Sequence, residues 1–137
     1  MSEKLIRYGF IAAGLMNIIA VLVLSRLFTN DVIPETDPVV MSNFGLLMIM
    51  VWGLAYLALA VNYRKAKWVV GTFVIEKLIY VIAWLLWMVQ NSVSAVYEKD
   101  LFAGVFYSVY GVNDFVFFVF FAYVFYEIQR NPAKDLN

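Results

Sequence analysis

Polar and apolar residues do not alternate along this chain; they segregate into blocks. Four long apolar runs, at residues 10–28, 41–61, 68–89 and 102–126, are separated by short polar segments. The runs lack both the period of two of a half-buried strand and the one-sided stripe of a water-facing helix. A helix that is apolar all round sits in lipid or in a protein interior. Each run approaches the roughly 20 residues that a helix needs to cross the hydrocarbon layer. The pattern predicts an all-α integral membrane protein, an up-down four-helix bundle with four transmembrane helices in one domain spanning residues 1–137. The first run is too long, and lacks the small-residue site, for a cleavable leader. Residues Asn62–Lys67 read as a tight turn. In Thr29–Val40, Pro34 and Pro38 forbid a continuous helix and predict an ordered external loop. Its acids lack the glycine and regular spacing of a calcium loop, so no metal is expected there.

Composition strengthens the membrane reading. The chain is 64% hydrophobic, 18% aromatic and 15% charged, with mean hydropathy +0.81. A water-soluble domain of 137 residues has too little interior to hide that much apolar surface. With no Cys and no His, disulfides, thiolate catalysis, the commonest zinc ligands and the default general base are absent. No cofactor is expected. Zero net charge without a basic tract excludes nucleic acid as an expected partner.

Charge distribution orients the chain. Lys4 and Arg7 precede the first run, Arg64, Lys65 and Lys67 fill the second connection, and Arg130 and Lys134 follow the last run. Opposite them stand only Arg26 and Lys99, among five acids. Cytoplasmic loops carry the excess of Lys and Arg, so both termini are expected in the cytoplasm, with a bias too strong for dual topology. Trp68, Trp87, Tyr97 and Tyr126 fall near the run ends, where aromatic side chains anchor at the interface.

Two ions interrupt the apolar runs. Lys77 and Asp114 lie deep inside the third and fourth, at an insertion cost of roughly 2.5–3.5 kcal/mol each at the bilayer centre. Such residues face a partner or a wet cavity. At about 1.5 Å per residue, Asn17, Trp52, Lys77 and Asp114 fall in one layer near mid-membrane. Stacking at three, four and seven residues adds Tyr56, Tyr80, Tyr110 and Asn113 as polar or aromatic walls. Lys77 and Asp114 are expected to pair. Glu76 projects about 100° from Lys77 and is expected to turn toward a helix flank, to meet Asn17, take a proton or face another subunit. The candidate polar core is thus Asn17, Trp52, Tyr56, Glu76, Lys77, Tyr80, Tyr110, Asn113 and Asp114; each can equally serve as glue between helices.

The segments GLMNIIAVLVL, GLAYLALAVNYRKAKW, EKLIYVIAW and YGVNDFVFFVFF together resemble a family of small bacterial four-helix integral membrane proteins. The resemblance implies a bacterial inner-membrane location and carries over Asn17, Gly53, Tyr56, Lys77, Asn113 and Asp114; Glu76 departs from it by standing where a Gly is expected. It implies no activity. Three functions remain open on the sequence. One is binding or transport of a small amphipathic or lipophilic molecule, with dimerisation supplying what a single small bundle lacks. A second is a structural or accessory subunit of a membrane complex. A third is an intramembrane enzyme acting on a lipid, using Glu76 or Asp114 with Tyr80 or Tyr110.

Overall fold

The computed structural model describes residues 1–132; Lys134, counted above among the cytoplasmic cations, lies outside them. Every regular element among these residues is helical. Helix α1 runs Glu3–Leu24, α2 Val32–Thr36, α3 Asn43–Leu59, α4 Lys67–Gln90, α5 Val93–Lys99 and α6 Leu101–Arg130. Three helices, α1, α6 and α4 with the turn before it, are long and apolar enough to cross a membrane. Helix α3 is shorter at 17 residues, because the chain bends at Ala60–Asn62 into the 3-10 turn Tyr63–Ala66.

The helices begin and end where local chemistry dictates. Ser2 and Ser42 cap α1 and α3 by accepting from the Leu5 and Gly45 N–H groups, so α1 starts well before the apolar run at residue 10. Asp100 caps α6 in the same way, accepting from Ala103. Helix α1 ends in a reversal at Arg26, Leu27 and Phe28, whose φ values are 49°, 56° and 66°. Three successive side-chain-bearing residues in the left-handed region are costly. Ser25 offsets this by accepting from the Phe28 N–H through its side chain and from Thr29 and Asn30 through its carbonyl.

The segment Thr29–Val40 is more helical than its prolines suggest. Pro34 lies inside α2, in the first turn, where its missing N–H has no helical acceptor to lose. Tyr107 of α6 donates to the Ile33 carbonyl at 2.8 Å, and Ile33 and Met41 are fully buried, so the segment closes one end of the bundle. Trp87 belongs to that core rather than to an interface: it is buried and stacked on Tyr107, ring centroids 4.4 Å apart. Trp68 and Tyr126 are exposed.

The most extensive backbone contacts pair α1 with α3 and α4 with α6. Gly14 and Gly53 make the first pairing possible: a Cβ on Gly53 would stand 2.9 Å from the Gly14 carbonyl oxygen. Side chains then join α3 to α4, chiefly Trp52 and Tyr56 against Phe73. The outer faces are strongly apolar, with Val112, Phe115, Val116 and Val119 of α6 all exposed. A patch of that kind suits lipid and would be a liability in water.

Candidate functional site

Asn17, Tyr56, Glu76, Lys77 and Asp114 meet where the two helix pairs join. Lys77 is 1% exposed. Its ammonium lies 2.6 Å from Asp114 Oδ1 on α6, 3.3 Å from Asn17 Oδ1 on α1 and 3.9 Å from Glu76 Oε1 on its own helix. The Tyr56 ring supplies a fourth neighbour, its centroid 5.2 Å from Nζ. Four helices therefore converge on one cation. Asn17 completes its hydrogen bonding by donating to the Ile49 carbonyl at 3.0 Å.

Local backbone geometry directs Asn17 into this junction. Residues Met16–Ala20 form a π turn within α1, the kind of bulge that re-aims side chains and recurs at functional sites. Nothing in the sequence signals it beyond the asparagine itself.

Glu76 does not turn to a flank or to Asn17. It is buried at 6% exposure, and its Oε2 accepts a hydrogen bond from the Tyr56 hydroxyl. Its Oε1 has no hydrogen-bond partner among the described residues. Adjacent positions do diverge by about 100°, but the lysine stem is long enough to bring Nζ back beside the neighbouring carboxylate. The structure thus brings Glu76 and Lys77 into one cluster, contrary to the expectation from helical projection.

Comparison with known protein families, curated proteins and solved structures finds no match.

A small cavity of about 40 Å3 adjoins the cluster between α1, α3 and α6. Its polar lining comes from Asn17, Tyr110, Asn113 and Asp114, and its apolar walls include Met16, Ala20, Leu24 and Val109. A buried water needs about 10–15 Å3 by this measure, so the space suits about three water-sized groups. The Tyr110 side chain is 8% exposed and its hydroxyl has no partner among the described residues. Asn113 is half-buried at the rim. Beyond it an open apolar groove of about 500 Å3 runs along α1, and Met16, Ala20, Leu24 and Val109 line both spaces.

Two sequence candidates lie off the cavity lining. Trp52 packs edge-on against Phe73 in the aromatic core, away from the cavity lining. Tyr80 packs, half-buried, with the other core cluster. Trp84, one turn beyond Tyr80 on α4, donates to the Tyr107 carbonyl at 2.8 Å.

Proposed function

We propose that this chain crosses a membrane four times and binds a small amphipathic molecule that enters sideways from the bilayer. Helix α3 counts as the fourth span. Its 17 residues include no charged side chain and reach the lower limit of known transmembrane helices, about 17 residues. With both termini cytoplasmic, Lys4, Arg7, Lys65 and Arg130 share one side.

The observation that carries the binding role is the shared wall. A polar-floored cavity and an apolar groove meet along Met16, Ala20, Leu24 and Val109. A molecule with a compact polar head and a hydrocarbon tail would place the head beside Asp114 and the tail along α1. Ligand sites in helix bundles are built in this way, from an apolar lining with few directed polar groups.

The test is photocrosslinking in proteoliposomes with a diazirine-bearing decanol. Adducts should concentrate on residues 16–24 and 106–113, and Ala20→Phe should abolish them by filling the shared wall. Adducts spread evenly over the outer faces of all helices would overturn the reading.

One observation favours a second role. Lys77 is tied to groups on every long helix, which suits a lock that fixes helix register in an accessory subunit. That reading requires a folded protein whose outer surface, rather than its cavity, carries the function.

A further inference from the structure

The polar cluster sets two carboxylates against one ammonium. Glu76 and Asp114 are each 6% exposed and Lys77 is 1% exposed, so bulk water does not balance the difference. The groups packed on the cluster from each helix are few. Helix α1 brings the uncharged Asn17 and α3 brings Tyr56. Helix α4 brings Glu76, Lys77 and the nearby Tyr80, and α6 brings Asp114 and Tyr110. Among the described residues no second cation joins them. With Lys77 charged, one positive charge is missing, and an uncompensated buried charge is strongly destabilising.

We propose that a proton supplies this charge when the cavity is empty, and that the ammonium head of a lipophilic amine supplies it when the cavity is filled. Binding then releases one proton. The inference rests on the lateral amphipathic site argued above and names its ligand class. An ammonium donates three hydrogen bonds and accepts none. The cavity offers matching acceptors in the Asp114 carboxylate, the unpartnered Tyr110 oxygen and the Asn113 amide oxygen. Lys77 engages Asp114 through Oδ1 and the Asn113 amide lies beside the same carboxylate, whose four lone-pair sites leave room for the head. The adjoining groove accounts for a hydrocarbon tail, which a bare metal ion would not need.

In the exchange, the amine enters already protonated and keeps its own protons, and the cluster loses one proton to solvent. No covalent bond forms or breaks. The proton belongs to the coupled cluster rather than to one residue. Its seat in the empty state is Glu76, whose Oε1 stands 3.9 Å from the Lys77 ammonium without a hydrogen-bond partner among the described residues, while Tyr56 holds Oε2.

The experiment compares decylammonium with decanol, titrated into the full chain in phosphatidylcholine nanodiscs, with empty nanodiscs as the blank. The range is about pH 5 to 9, over which buried carboxyls titrate. Because binding expels a proton, the amine should tighten about tenfold per pH unit wherever the empty cluster is protonated, while decanol binds with a flat profile. Calorimetry in two buffers of different ionisation heat should count one proton released per amine bound. Glu76→Gln keeps an acceptor for Tyr56 and cannot lose a proton, so it should bind the amine weakly and without pH dependence. The proton count on the unaltered chain stands even if that variant folds poorly. Amine binding without proton release overturns the proposal, as does pH dependence that survives in Glu76→Gln. Decanol binding with decylammonium excluded overturns the amine but keeps the amphipathic site. Failure of both ligands overturns the two together.

Discussion

A lysine at 1% exposure persists only where its charge is met, and Lys77 is met by Asp114, Glu76 and Asn17 at once. Removing one partner should therefore cost far more than removing the pair. Lys77→Met leaves the Asp114 carboxylate, beside the protonated Glu76 carboxyl, buried without a cation and should lose about 3–5 kcal/mol. Lys77→Met/Asp114→Leu should recover most of that loss, because an apolar replacement of matched volume avoids the desolvation penalty. Unfolding in mixed micelles of increasing SDS fraction would measure both, and equal losses would remove the pairing argument. Tyr56→Phe, which strips the donor from Glu76, should cost about 1–3 kcal/mol, read by the same titration. The Lys77–Asp114 contact was legible in the sequence because an ion inside an apolar run must have a partner. The Tyr56–Glu76 contact was not, because helical projection locates Cα–Cβ directions while a long side chain decides where its charge ends up.

Elements were legible in proportion to their length. The four long helices follow from apolar runs of bilayer length. Their ends do not, since a run marks lipid-facing residues while caps such as Ser2 and Asp100 mark the helix. Helices α2 and α5, at five and seven residues, are too short to show a period. The π turn at Met16–Ala20 leaves no pattern at all. Packing between elements gives a sharp contrast among the glycines. An added Cβ at Gly53 meets the Gly14 carbonyl at 2.9 Å, which is backbone and cannot swing away. Gly53→Ala should thus destabilise by about 1–3 kcal/mol as α1 and α3 are pushed apart. At Gly71 the nearest atom, 3.1 Å away, is the ring edge of Phe125. Gly71→Ala should stay within about 1 kcal/mol of the unaltered protein, since the helix-propensity gain offsets a small ring shift. Comparable losses at both positions in a thermal melt would contradict the crossing geometry. The outer ends are joined by Asp100, which binds Arg26 at 2.8 Å and accepts from Asn30 and Ala103. Burial alone would raise its carboxyl, but these donors hold it below the ordinary carboxylate range. A lowered folded value stabilises the fold above the unfolded value, about 3.9, and that stability fades as pH falls through the folded one. Acidification below the ordinary carboxylate range should therefore erase the stability difference between the unaltered protein and Asp100→Asn, a trend that melts at several pH values would follow.

At the scale of the whole molecule the decisive quantity is the number of crossings, and α3 decides it. Helices α1 and α6, and α4 with its preceding turn, have membrane length, whereas α3 spans about 25 Å at 1.5 Å per residue, somewhat short of a hydrocarbon layer about 30 Å thick. A short helix can still cross if the bilayer thins or flanking residues snorkel, at a modest cost per Å of mismatch. Four crossings put Lys4 and Lys65 on one side with Glu35 and Lys99 on the other. If α3 lay in the interface instead, Lys65 would join Glu35, and Lys99 would join Lys4. The chain contains no cysteine, so single-cysteine labelling needs no prior engineering, and all four positions are exposed. In intact cells a membrane-impermeant maleimide should label Glu35→Cys and Lys99→Cys, while Lys4→Cys and Lys65→Cys react only after permeabilisation. Labelling of Lys65→Cys together with Glu35→Cys would reduce the bundle to three crossings. It would also place the turn that follows α3 outside, against the excess of cations at Arg64, Lys65 and Lys67 that the positive-inside rule assigns to the cytoplasm.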